Sequence, residues 1–162
     1  ATPKEIEEGR LWYRKAREYC VQLSEEFGVE LEKVIGIVSA LSVQKKWDLN
    51  KRIAKEYLQG KRNIHTKVQV SKCDWIMRGD NIPKCLGGLK TVNFFWNILN
   101  PDDPNYCTID LWMIRIFNET PKLTPKKYNE LKQVCVDYSK QIQWVTPTTQ
   151  AVAWIVQRGN AN

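Results

Sequence analysis

Residues 82–119 read IPKCLGGLKTVNFFWNILNPDDPNYCTIDLWMIRIFNE, and this stretch decides the fold. Gly87-Gly88 forms a tight turn, and the apolar residues that follow predict a helix over about 90–99. Residues 100–105 are rich in Asn, Pro and Asp, which is typical of a loop. Asp110 is well placed to N-cap the next helix. The stretch therefore predicts a glycine turn and two helices joined by a loop.

Helical spacing also dominates the rest of the chain. Apolar residues recur every three or four positions from Trp12 to Phe27, and Gly28 is a suitable stop. Residues 30–42 are nearly all apolar, as in a buried helix, and residues 47–58 are amphipathic. Further helices are expected after two Thr-Pro pairs that read as an N-cap followed by proline at the first helical position, Thr124-Pro125 and Thr146-Pro147.

Residues 66–78 are ambiguous. The sequence KVQVSKCDW alternates like a strand, yet a single strand has no partner with which to form a sheet. The sequence shows no repeat and no low-complexity linker, and 162 residues correspond to one ordinary domain. We therefore expect an all-α fold in which residues 1–162 form a single domain of seven or eight helices.

The composition argues against several classes of protein. Five cysteines without a CxxC pair do not match a zinc or iron–sulfur site, and a single His argues against multi-His metal chemistry. No run of apolar residues is long enough for a membrane span, and the Glu-rich N-terminus does not resemble a signal peptide. We expect an intracellular protein with reduced thiols, no metal site and no cofactor.

The positive charge is concentrated in residues 34–72. This segment carries a net charge of +7, whereas residues 1–33 carry −2 and residues 73–162 carry +2. A concentrated basic segment is typical of nucleic-acid binding, although a solvated basic face has the same composition. Its cations are Lys45, Lys46, Lys51, Arg52, Lys55, Lys61, Arg62, Lys67 and Lys72.

The residues around the glycine turn are suited to chemistry on a nucleotide. Backbone N–H groups of Gly87-Gly88 and of the following helix start can approach a phosphate. Lys90, if partly desolvated, could act as a neutral amine nucleophile, and Asp110 could accept its proton or stabilise a cationic sugar. A surface lysine and a structural N-cap explain the same two residues without any chemistry.

Residues 88–119 resemble the helix-hairpin-helix DNA glycosylase superfamily of the endonuclease III type. That family carries a hairpin LPGVGRKTA, an apolar helix and then VDTHxxRxxNR. Residues 88–92 (GLKTV) match GRKTA, Ile109-Asp110 matches VD, and Arg115 and Asn118 fall at the family's Arg and Asn offsets. The resemblance implies a two-lobed helical domain with Lys90 as a Schiff-base nucleophile and Asp110 as the catalytic carboxylate.

The upstream resemblance has two interpretations. Residues 41–44 (LSVQ) with Asn50-Lys51 resemble the family's LSAQ…NKA segment, in which the Gln occupies the space left by a flipped base. This implies that Gln44 is a wedge. The helix over 47–58 also resembles a later GLYNSKAxxI helix, and its 40-residue spacing from Asn50 to Lys90 suits that second match better.

The sequence departs from the family at several positions. Leu86 replaces the hairpin's first Gly, Trp112 replaces the His after the Asp, and the family's iron–sulfur cysteines have no counterpart. The compact pattern resembles small phage-encoded members of the superfamily. Tyr106 and Trp112 flank Asp110 and are expected either to stack on a flipped base or to pack in the core.

The expected function is a DNA glycosylase with abasic-site lyase activity in base-excision DNA repair, in a bacterial cell or a phage-infected host. Its partner would be double-stranded DNA with a damaged or modified base. The alternatives are a phage base-modifying transferase, similar to enzymes of thymine hypermodification, and a non-catalytic DNA-binding module. The residues expected to contact DNA are Gln44, Lys45, Lys46, Lys51, Arg52, Gly87, Gly88 and Arg115.

Overall fold

The computed structural model describes all 162 residues, which form nine helices and no β-strand. The predicted all-α class is confirmed, but the predicted count of seven or eight helices is too low. None of the nine helices combines the length and apolar character that a membrane crossing needs. The helices are α1 (Pro3–Phe27), α2 (Leu31–Leu41), α3 (Trp47–Leu58), α4 (Lys67–Arg78), α5 (Ile82–Leu86), α6 (Leu89–Leu99), α7 (Leu111–Ile116), α8 (Pro125–Gln141) and α9 (Thr146–Arg158).

The segment with strand-like alternation is helix α4. Thr66 is its N-cap and accepts a hydrogen bond from the backbone N–H of Gln69 at 3.4 Å. Gly79 ends the helix in a left-handed conformation, with φ of 102°. The two caps satisfy backbone groups at both helix ends, and the structure thus resolves the ambiguity over residues 66–78 in favour of a helix.

Several helix ends lie where the sequence predicts them. Asp110 and Thr124 are N-caps, and they accept hydrogen bonds from the backbone N–H groups of Met113 at 2.9 Å and Lys127 at 3.1 Å. Thr146 is an exception, because α9 begins at this residue and Val145 precedes it as the cap. The Thr146 hydroxyl instead donates to the carbonyl oxygen of Pro104 at 2.7 Å.

The chain forms two compact units. The first, which we call the α7–α9 unit, contains residues 1–16 and 96–161. Within it, α7 and α8 both pack against α9. A methyl group on Gly9 of α1 would lie 2.9 Å from the backbone nitrogen of Val152 on α9. Glycine therefore lets these two helices approach closely.

The second unit, which we call the α2–α5 unit, contains residues 17–95 and Asn162. Helix α2 is its centre: residues 34–41 are all buried, and α3, α4 and α5 pack around them. A methyl group on Gly36 would lie 2.9 Å from Ile82 and 3.2 Å from Ile76. This close approach places the short helix α5, which the sequence analysis did not predict, against the core.

Candidate functional site

The glycine turn joins α5 to α6 in two residues. The N–H of Gly88 donates to the carbonyl oxygen of Leu86 at 2.9 Å, across Gly87 with φ of 76° and ψ of −51°. This is a γ-turn that requires positive φ at its central residue, which glycine adopts at least cost. The carbonyl oxygen of Gly88 accepts hydrogen bonds at 3.0 Å from the Thr91 hydroxyl and from the N–H of Val92, both near the start of α6.

A lysine that the sequence analysis did not single out holds this turn. The Nζ of Lys72, on α4, donates to the carbonyl oxygen of Leu86 at 3.0 Å. Its ammonium group therefore lies at the glycine turn and adds a positive charge there. The basic segment contains Lys72, but only the packing of α4 beside α5 shows where the charge acts.

Lys90 lies in the first turn of α6 and is exposed. No carboxylate, aromatic ring or hydrogen-bond acceptor of the chain engages its side chain. The partial desolvation considered for this residue is therefore absent, and activation of the amine would have to come from a bound ligand that excludes water.

Asp110 is half-buried at the start of α7, and its predicted capping role is confirmed. The residues before it are firmly held. Asn97 donates to the carbonyl of Tyr106 at 3.0 Å and accepts from the N–H and the hydroxyl of Thr108 at 3.1 and 2.8 Å. Burial chiefly, and the Asp110 carboxylate in addition, raise the pKa of Tyr13. Asp110 therefore acts electrostatically on a buried phenol of its own unit.

The Tyr128 hydroxyl also fixes the approach to Asp110. It donates to the carbonyl of Cys107 at 2.8 Å and accepts from the N–H of Ile109 at 3.0 Å. Neither Tyr128 nor Asn97 was predicted as a site residue. In the sequence, each of these two residues is a polar residue among apolar helix positions. This pattern indicates a buried polar side chain but does not identify its hydrogen-bond partner.

The two rings proposed for a base pocket do not contact each other. Tyr106 stacks on Trp96, with centroids 5.3 Å apart and planes at 19°, and the Lys132 ammonium lies 5.9 Å from its centroid. Trp112 has the guanidinium groups of Arg115 and Arg158 at 4.6 and 5.8 Å from its ring centroid. The predicted DNA contact Arg115 is thus placed beside one of the predicted pocket residues.

Gln44, Lys45 and Lys46 lie together on the exposed turn between α2 and α3. Gln44 has φ of 56°, a left-handed backbone conformation that residues other than glycine rarely adopt. His65 holds this turn: its Nδ1 accepts from the N–H of Thr66 at 2.8 Å, and its Nε2 contacts the carbonyl of Val43 at 3.1 Å. With Nδ1 as an acceptor, Nε2 is the donor in that second bond.

The other predicted contacts of the basic segment are engaged within the chain. Lys51 pairs with Asp48 at 3.5 Å, and its ammonium also lies 5.7 Å from the ring centroids of Tyr19 and Trp47. Arg52 pairs with Glu56 at 3.7 Å. These two cations therefore enter a ligand contact only by exchanging existing partners.

The cysteines are buried free thiols, and no group of His, Cys, Asp and Glu is arranged to hold a metal ion. Burial raises the pKa of Cys20 and of Cys73 to about 12. The hydrogen bond that Cys107 shares with Cys135 chiefly raises the pKa of Cys107. Cys20, Cys73 and Cys107 are therefore poor nucleophiles at neutral pH, whereas the same hydrogen bond lowers the pKa of Cys135.

No curated protein and no solved structure shows a significant match to the chain. One family profile does match, and it covers residues 1–161. The chain therefore belongs to a family of unknown function, DUF7178.

Proposed function

We propose that this chain is a DNA glycosylase with abasic-site lyase activity, acting on double-stranded DNA with a damaged or modified base. The observation that carries the proposal is the α5–α6 hairpin. Gly87 forms a tight γ-turn, Lys72 adds a charge at the turn, and Lys90 is exposed one residue into α6. Free N–H groups at a helix start and nearby lysines favour a phosphate, and the exposed amine is accessible to a sugar beside it.

In the proposed reaction, the neutral amine of Lys90 attacks C1′ of the flipped nucleotide. The bond between C1′ and the base breaks, and the base leaves with the electron pair of that bond. The proton that the amine loses passes to the departing base, a transfer for which the resemblance implies Asp110 as the carboxylate. The sugar ring then opens to a Schiff base, and β-elimination breaks the bond to the 3′ phosphate. Hydrolysis of the Schiff base returns the amine.

Two further features support this proposal. The turn over 42–46 presents Gln44 in a left-handed conformation, and backbone strain of this kind is often found at functional sites. The division of the chain into two compact helical units supports the two-lobed helix-hairpin-helix part of the proposal. Membership of the glycosylase superfamily is a part of this proposal as well.

A second candidate is a non-catalytic DNA-binding module. It is favoured by the exposure of Lys90, because nothing in the chain removes water from this amine. In that case the hairpin lysines would contact phosphates only, and the chain would make no covalent adduct.

Borohydride trapping on a duplex with one abasic site separates the two candidates. We expect wild type to form a covalent adduct and Lys90→Gln to form none. Lys84→Gln is the matched control, since Lys84 is also exposed and lies on the same hairpin. Asp110→Asn keeps the helix cap, because the Asn side chain also accepts a hydrogen bond from the N–H of Met113. A loss of adduct in this variant therefore reports on the carboxylate rather than on folding.

An adduct that survives in Lys90→Gln would refute the assignment of the nucleophile. Absence of an adduct in wild type, together with tight DNA binding that Lys90→Gln and Lys84→Gln weaken equally, would establish the binding module instead. Absence of both adduct and DNA binding would overturn both candidates.

A further inference from the structure

Two guanidinium groups share one indole ring in the α7–α9 unit. Arg115 lies in the last turn of α7 and is exposed, and its Cζ lies 4.6 Å from the ring centroid of Trp112. Arg158 ends α9, which packs against α7, and its Cζ lies 5.8 Å from the same centroid. Arg158 is also held by Trp154, with 4.5 Å between its Cζ and that ring centroid. Both cations are thus fixed beside Trp112 by cation–π contacts.

Neither guanidinium is neutralised by a carboxylate of the chain. Arg115 and Arg158 form no ion pair, whereas the nearby Glu119 is bound to Lys127 at 2.8 Å. Each arginine lies in the last turn of a helix, but the partial negative charge of a helix end is only about half a unit. Two cations gathered on one ring repel each other, and an anion bound between them would remove that repulsion.

The geometry suits one class of anion. A guanidinium stacked on an indole keeps the N–H groups at its edge free for hydrogen bonds, and a planar fork of donors matches the oxygens of a phosphate. We propose that Arg115 and Arg158, held on Trp112, form a phosphate-binding site. The phosphate belongs either to a nucleic-acid backbone, in which case the inference rests on the proposed function, or to free phosphate or pyrophosphate.

The site assigns Trp112 a different role from the one expected from sequence. A ring that carries two guanidinium groups is a platform for cations and presents less open surface to a base. Arg158 has no sequence motif of its own that marks it as a ligand residue. It enters the site only because α9 packs beside α7.

Binding of a labelled, undamaged duplex at several salt concentrations tests whether the site binds a phosphate of the nucleic-acid backbone. Arg115→Gln and Arg158→Gln are each expected to weaken binding by about tenfold and to reduce the salt slope by about one unit. The control is Arg14→Gln, an exposed arginine of the same unit that is paired with Asp102 at 3.0 Å. This variant is expected to retain wild-type binding. Circular dichroism establishes that each variant is folded.

A second experiment tests whether the site binds free phosphate or pyrophosphate. The whole protein is titrated with inorganic phosphate and with pyrophosphate, and the NMR signals of the arginine Nε–H groups are followed. Shifts of the Arg115 and Arg158 signals that saturate without DNA would assign the site to a free phosphate. Unchanged DNA binding in both Gln variants, together with unshifted arginine signals, would overturn the inference. Neither readout involves Lys90 or strand cleavage, so failure of the lyase proposal leaves this test intact.

Discussion

Removal of a single oxygen atom, in Tyr128→Phe, is expected to destabilise the segment that leads into Asp110. The Tyr128 side chain is buried, and its hydroxyl is the partner of two backbone groups in that segment. It donates to the carbonyl of Cys107 and accepts from the N–H of Ile109, and both of these residues are buried too. The substitution leaves the ring in place, so packing changes little while both backbone groups lose their hydrogen bond to the hydroxyl.

The magnitude follows from the number of hydrogen bonds that are lost. Loss of one hydrogen bond to a buried donor or acceptor costs about 1–3 kcal/mol. Loss of the two bonds to the Tyr128 hydroxyl, partly relieved by relaxation or an entering water molecule, gives an expected loss of about 2–4 kcal/mol in the free energy of unfolding. This is a large part of the roughly 5–15 kcal/mol that stabilises a typical domain.

Urea unfolding followed by tryptophan fluorescence measures this loss. Tyr138→Phe is the matched control, because Tyr138 lies on the same helix, is 54% exposed and makes no hydrogen bond through its hydroxyl. We expect it to change stability by less than about 0.5 kcal/mol. If Tyr128→Phe cost no more than Tyr138→Phe, the argument that this hydroxyl anchors the segment before Asp110 would be wrong.

Three further predictions concern the turns and one buried thiol. Gly87→Ala places a side chain on a residue with φ of 76°, which should lower the free energy of unfolding by roughly 1–2 kcal/mol and weaken DNA binding. Gly88 does not have positive φ, so Gly88→Ala should change neither stability nor DNA binding. Gln44 and Gln143 have positive φ, of 56° and 59°, so replacement of either residue by glycine should raise the free energy of unfolding by up to about 1 kcal/mol. Only Gln44→Gly should reduce base flipping, which is measured with 2-aminopurine in the DNA. Because burial raises the pKa of Cys20 to about 12, the unfolded chain loses this proton first as the pH rises. Cys20 should therefore lower the free energy of unfolding by roughly 1 kcal/mol per pH unit above about pH 9, and urea unfolding in reductant should show a less steep fall in Cys20→Ala.

The helix ends that depend on adjacent residues were predictable. Asp110 and Thr124 cap helices through backbone groups three positions away, so the sequence already contains both partners. Gly28 follows α1 with φ of 63°, as a glycine stop requires. Fold class also followed from local spacing, because the period of apolar residues is a property of each segment.

Predictions failed where a distant residue decides the structure. Thr146 has the sequence of an N-cap, yet its hydroxyl bonds to Pro104, which is 42 positions away. The alternation over 66–78 suggested a strand, but α4 gains its stability by packing on α2. Local propensity is a weak prior, and tertiary contacts override it.

The same limit applies to the chemistry of the candidate site. The sequence identified Lys90, but its exposure depends on how α6 begins after the turn. Trp112 was expected either to stack on a flipped base or to pack in the core, whereas the structure also brings the guanidinium of Arg158, 46 positions later, to 5.8 Å from its ring centroid. Residue type indicates what a side chain is able to do, whereas its neighbours decide what it does.

Net charge by segment is therefore a poor guide to where an anion binds. In the basic segment, Lys51 and Arg52 already have carboxylate partners, so a phosphate must compete for them. Exposed ion pairs are weak, but each reduces the field that a ligand meets. Lys45 and Lys46 have no such partner, and neither do Arg115 and Arg158, which lie in a segment close to neutral. Pairing, rather than the number of basic residues, determines which positive charges are available to an anionic ligand such as the proposed DNA.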